Sequence, residues 1–150
     1  MKIRIATPKD KKESLVIARN LKEWFNKEGL KNMKIDFEIN NLVIVADKNR
    51  VVGFLCYSSE NGKIKILWVG IRRESHRKGV GKFLLNWLEK ESKKYELKII
   101  EVETLTDKDS YAPYKDTREF YFKNGFKKVG YKKSKIKRHD DMVILEKKID

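Results

Sequence analysis

Residues 42–71 constrain the fold more than any other stretch. "LVIVAD" (42–47), "RVVGFLCYS" (50–58) and "KIKILWVGI" (63–71) are three β-type runs rich in branched and aromatic residues. Only "KN" separates the first from the second, and "SENG" separates the second from the third. Asn61-Gly62 between two such runs is a strong hairpin signal, because both residues tolerate the positive φ that a tight hairpin turn needs. The middle of the chain therefore reads as an antiparallel meander. Parallel strands would need a crossover between each pair, so a chain built throughout on β-α-β repeats is excluded.

Around this meander the elements alternate. "KIRIAT" (2–7) reads as a strand. Thr7, Pro8 and Asp10 supply a helix start: a cap, a proline at the first helical position and an acid three residues after the cap. Leu15, Ala18, Leu21 and Phe25 continue at helical spacing, which predicts a helix stopping near Gly29. "LKNMKIDFEIN" reads as a second short helix or an irregular arm. After the meander, Phe83, Leu84, Trp87, Leu88 and Glu91 trace an amphipathic helix to about Lys94, and "LKIIEVETL" (97–105) reads as a strand. "YKDTREFYFKN" predicts a short helix ending at Gly125. "FKKVGYKK" and "DMVILEKKI" read as two closing strands around a basic loop. The expectation is one α/β domain over 1–150, with a mixed, mostly antiparallel sheet of about seven strands and helices on both faces.

Composition narrows the class. At 150 residues, with 40% hydrophobic and 11% aromatic content, the chain is able to bury one core. Its 36 basic and 22 acidic residues leave +14, a surface that attracts anions. The single cysteine, Cys56, forbids an intrachain disulfide, and its apolar setting predicts an inert buried thiol. No apolar run approaches the ~20 residues that span a bilayer and no signal peptide is seen, so a cytoplasmic protein without membrane contact is expected.

The chemistry concentrates in "ESHRKGVGKFLL" (74–85). The first N–H groups of a helix lack intrahelical partners and carry partial positive charge. Gly79 and Gly81 let an anion approach them, and Arg77, Lys78 and Lys82 add charge, so the stretch describes a phosphate cradle. It is not a dinucleotide fingerprint, because Leu84 stands where the third glycine belongs. It is not a P-loop, because Phe83 follows Gly81-Lys82 where Ser or Thr is required.

"HRKGVG" (76–81), after the fourth strand and opening the third helix, resembles the Gln/Arg-x-x-Gly-x-Gly/Ala signature of the GNAT superfamily of acetyl-CoA-dependent N-acetyltransferases. His76 departs from the Gln or Arg of that signature, and Arg73 stands where the family often has proline. "REFYFKNGFKKVGY" resembles the family's fourth-helix pattern, and "DDMVILEKKI" its closing strand. The resemblance implies transfer of an acetyl group from acetyl-CoA, the cosubstrate, to a primary amine by direct attack. The acceptor is a protein N-terminus, a lysine or a small amine. It assigns the cofactor phosphates to the amides of residues 76 to 81 (His76, Arg77, Lys78, Gly79, Val80 and Gly81), with Lys82 adding charge. It assigns the pantetheine arm to the strand backbone near Val69 and Ile71, where Gly70 gives room for close approach or marks a bulge. Tyr121 takes the position of the acid that protonates the leaving thiolate, with packing as the competing role. Glu103, on one face of the fifth strand with Glu101, is the candidate general base, with a salt-bridged carboxylate as the competing role. No metal is called for, and a homodimer stays open.

Two rival classes remain. "YKKSKIKRH" (131–139) gathers Lys132, Lys133, Lys135, Lys137 and Arg138, as an RNA- or ribosome-contacting module would. No exposed aromatic platform accompanies it, which disfavours that reading. The other rival is a GNAT fold that binds acetyl-CoA without turnover.

Overall fold

A computed structural model describes residues 1–106, 111–133 and 141–150. The elements run β1 (Lys2–Ile5), α1 (Pro8–Arg19), α2 (Lys27–Ile39), β2 (Asn41–Asp47), β3 (Arg50–Glu60), β4 (Lys63–Ile71), a short 3-10 turn (Arg73–Ser75), α3 (Val80–Lys94), β5 (Ile99–Leu105), α4 (Ala112–Lys123), β6 (Lys127–Lys132) and β7 (Met142–Lys148). The strands form a seven-stranded sheet in the order β1-β2-β3-β4-β5-β7-β6. The pairings β1/β2, β2/β3, β5/β7 and β6/β7 are antiparallel. This is the α/β architecture expected from the sequence.

Contacts divide the chain into two compact units: Met1–Ser58 with Ile66–Glu91, and Ser59–Lys65 with Ser92–Asp150. In the first, consecutive residues of β3 serve opposite faces of the sheet. Phe54 meets Phe37 of α2 edge-to-face, with ring centroids 5.4 Å apart. Gly53 turns the other way, where an added Cβ would lie 3.2 Å from Val80 of α3. Helices thus cover both faces of this unit. Asn61 and Gly62 take the left-handed conformation their residues predict, at φ 52 and 75, and the turn at Lys48 and Asn49 is left-handed too, at φ 51 and 62.

α1 begins as its sequence dictates. The Thr7 side chain accepts from the Asp10 N–H at 3.2 Å, and Asp10 accepts from the Thr7 N–H at 2.8 Å. Asp10 also takes a two-pronged contact from Arg4. Burial pushes the Asp10 carboxyl up, but the Arg4 and Thr7 hydrogen bonds outweigh it and hold the group below the usual carboxylate range. A depressed folded-state pKa contributes stability that is present above the unfolded value, about 3.9, and is lost as pH falls through the folded value. Asp10→Ala is therefore expected to cost about 1–3 kcal/mol at neutral pH, with the gap to wild type closing at acid pH, as read by thermal melts at both.

The predicted end of α1 is corrected. The helix stops at Arg19, with the Asn20 N–H donating to the Val16 and Ile17 carbonyls at 3.2 and 3.1 Å. Leu21, Trp24 and Phe25 continue the apolar spacing but pack on the core as a turn. Asn26 then caps α2, its side chain accepting from the Gly29 N–H at 2.7 Å, so Gly29 lies in the first turn of a new helix. Cys56 is buried, and desolvation by burial, with Asp36 adding to it, pushes its thiol up to about 12, as an inert residue requires.

In the second unit, one Lys63 ammonium reaches Glu146 at 2.9 Å and Glu101 at 3.6 Å. It thereby joins two carboxylates that stand directly opposite each other on β5 and β7. α4 ends as predicted, with Gly125 at φ 91 just beyond it. Among the described residues no helix is long and apolar enough to cross a membrane. Most of the basic run 131–139, and residues 107–110 of the loop before α4, lie outside the described residues.

Candidate active site

The chain leaves β4 through a tight, heavily bonded turn. The Arg72 N–H donates to the Val52 carbonyl at 2.8 Å, and the Ser75 N–H to that of Arg72 at 2.8 Å. Arg73 grips Glu23 through both guanidinium nitrogens at 2.5 and 2.8 Å and donates to the Asn20 carbonyl at 2.8 Å. The Arg73 hydrogen bond is the main reason the Glu23 carboxyl is held down to about 2.

The cradle follows. Arg77 and Gly79 adopt left-handed conformations, at φ 61 and 83. Successive N–H groups in turns of this kind form anion-binding concavities, and His76, just before Arg77, is extended at φ −62 and ψ 146. The first intrahelical bond of α3 is Phe83 N–H to the Gly79 carbonyl, at 3.0 Å. Among the described residues, no backbone carbonyl accepts from the N–H groups of Arg77 through Lys82. The Arg77, Lys78 and Lys82 side chains are exposed, and α3 has no acid in its first turn. A cation at a helix start opposes the helix dipole at a cost of about 0.3–1 kcal/mol, which a bound anion would reverse.

The donor run differs at its first member. The His76 N–H is spent on the Arg73 carbonyl at 3.1 Å, so it is not one of the unpaired amides. Its ring Nε2 lies 2.7 Å from the Ile71 carbonyl. The run is therefore 77–82 rather than 76–81. Gly70 is also reassigned. An added Cβ would overlap Cε1 of the Phe54 ring, so the missing side chain makes room for a core ring.

In the second unit, Tyr121 is 5% exposed, with Phe120 and Phe126 edge-on at 5.3 and 5.1 Å. Burial pushes its hydroxyl above the usual tyrosine range, so the group stays protonated at neutral pH. Glu103 Oε1 pairs with Lys65 at 3.0 Å and Lys132 at 3.5 Å. The competing salt-bridge role is thus realised. Sequence reading passed over Arg118, one turn before Tyr121 on α4. It is 6% exposed and donates to the Leu105 and Thr106 carbonyls at 3.2 and 3.0 Å, fastening α4 to the end of β5. A charged residue within an apolar helix face was the available signal.

The family model for the acetyltransferase (GNAT) domain matches residues 39–128. The chain belongs to the GNAT acetyltransferase family. The match includes β2 through α4 and so takes in the cradle and Tyr121. Solved structures agree on the GNAT fold. A protein assigned to the GNAT family from Desulfovibrio desulfuricans has a TM-score of 0.87 at 18% identity, with 99% of each chain covered. The ribosomal-protein-S18-alanine N-acetyltransferase of Escherichia coli has 0.79 at 14%, covering 99% of this chain and 94% of that one. An aminoglycoside 6′-N-acetyltransferase complexed with coenzyme A has 0.76 at 17%, covering 100% and 98%. Comparison with curated proteins gives no significant match.

Proposed function

We propose that this GNAT protein transfers the acetyl group of acetyl-CoA to a primary amine. The observation that carries the reading is the uninterrupted run of unengaged N–H groups from Arg77 to Lys82, flanked by exposed cations. Oriented amides and basic side chains suit the diphosphate of a CoA thioester. The pantetheine arm is assigned to β4 at Val69 and Ile71. Since the Ile71 carbonyl already accepts from His76, a contact there uses the Ile71 N–H or shares that oxygen.

The acceptor must arrive as a neutral amine, since only the lone pair attacks the thioester carbon. The N–C bond forms, the C–S bond breaks and the thiolate leaves. A CoA thiolate is the conjugate base of a weak acid of pKa about 8.5, so a proton supplied as it leaves lowers the barrier. Tyr121, protonated throughout the neutral range, is the proposed donor. Glu103 is the proposed base, its carboxylate drawn between Lys65 and Lys132. The acceptor classes are an N-terminal amine, a lysine and a small amine. Structural neighbours that act on a ribosomal protein and on an aminoglycoside fit the first and the last.

CoA release by the purified protein, assayed with N-terminal peptides, lysine peptides and small amines, tests this reading. Release accelerated by one panel supports it and names the acceptor. Acetyl-CoA binding without acceleration by any panel would favour the non-catalytic alternative.

A further inference from the structure

His76 is the position at which this chain departs from its family's Gln or Arg, and its geometry shows what the histidine does. We propose that His76 is a positioning residue for the cofactor cradle: its ring Nε2–H clamps the Ile71 carbonyl and so fixes the left-handed turn that aims the following amides. The inference rests on the cofactor reading above and assigns a role within that site.

A carbonyl oxygen only accepts, so at 2.7 Å the ring nitrogen facing Ile71 must carry the hydrogen. The ring also stands edge-on to Trp24, centroids 5.8 Å apart, which sets its plane. With its own N–H spent on Arg73, His76 gives the anion no backbone donor. What it holds is the start of a segment that has little else to hold it.

Arg77, Lys78 and Gly79 are all exposed, and the Cβ direction of Gly79 opens on nothing within 4 Å. Yet Arg77 sits at φ 61, a conformation that costs a non-glycine residue about 1–2 kcal/mol. Such a residue persists only where its surroundings over-determine it. The loop is suspended between two anchors: the bonded and packed His76 on one side, and Val80, 3% exposed and facing Gly53, on the other. Without the clamp, the amides of 77–79 would have to be ordered at the moment of binding, at the expense of affinity. Gln or Arg also carries an N–H donor, so the donor is what His76 shares with the family's usual residues. The aromatic contact with Trp24 is this chain's addition.

Three proteins test it: wild type, His76→Phe, which keeps a ring for Trp24 without the donor, and His76→Gln, which keeps a donor without the ring. CoA is titrated calorimetrically into each, and {1H}–15N NOEs are recorded on the free proteins, with melting temperatures as the folding control. The phenylalanine variant is expected to bind CoA at least about tenfold more weakly, with reduced NOEs at Arg77–Gly79 and a near-native melt, and the glutamine variant to recover most of the affinity. Long-range 15N–1H spectra of the wild-type imidazole should show Nε2 protonated. Wild-type affinity and NOEs in the phenylalanine variant would overturn this proposal alone, as would a glutamine variant as weak as phenylalanine. A wild type that binds no CoA would overturn the cofactor reading and this inference with it.

Discussion

Replacing Tyr121 by phenylalanine is expected to lower kcat for CoA release by at least about tenfold while leaving acetyl-CoA affinity unchanged. The substitution removes one O–H from a side chain whose ring is packed edge-on between Phe120 and Phe126, so the fold should tolerate it. Burial is the sole cause of the raised hydroxyl pKa, with no charged neighbour contributing. That environment guarantees the proton is present, and it makes a tyrosinate costly, so the donor must be replenished from solvent within each turnover. It also sets a pH signature: loss of the acid through tyrosine ionisation should not appear below about pH 10. A residue serving only to pack α4 gives a different result, with kcat unchanged and stability unchanged or slightly raised. Steady-state kinetics with any acceptor that the panel identifies, read as kcat against KM, separates the two.

Gly70→Ala is expected to destabilise the protein by about 1–3 kcal/mol, as overpacking a filled core does. For a chain of this size that corresponds to a fall in Tm of about 2–4 °C for each kcal/mol. The added methyl would overlap two carbons of the Phe54 ring. Phe54 is wholly buried and seated on Phe37, so the ring cannot swing aside without disturbing a second one. Phe54→Leu in the same chain should recover part of the loss, since it withdraws the ring that the methyl meets. CoA affinity of the folded Gly70→Ala protein should match wild type. A stable variant with impaired CoA binding would return Gly70 to the cofactor.

The features legible from sequence share a cause: each is decided by a few neighbouring residues. The hairpin turns at Lys48-Asn49 and Asn61-Gly62, the capping box of Thr7 and Asp10, and the glycine that ends α4 are local chemistry. The helix start between Gly79 and Gly81 belongs with them, since α3 begins at Val80. What was not legible depends on residues distant in sequence. Leu21, Trp24 and Phe25 keep a helical period, but their partners are core residues on other elements, and tertiary packing overrides the period. The Asn26 cap, three residues before Gly29, was the local signal that could have placed α2. Gly70 could not be understood before β3 brought Phe54 beneath it. Nor could Glu103 before the fold brought Lys65, distant in sequence, within 3.0 Å of it. The pairing of the His76 N–H needed the 3-10 turn at Arg73–Ser75, which no motif announces.

Amide chemical-shift mapping of a CoA titration tests the central claim most directly. The account predicts saturable shifts concentrated on the N–H resonances of Arg77 through Lys82, with His76, whose amide is already bonded, moving less. Shifts that leave this run untouched at saturating CoA, or no shifts at all in folded protein, would contradict it.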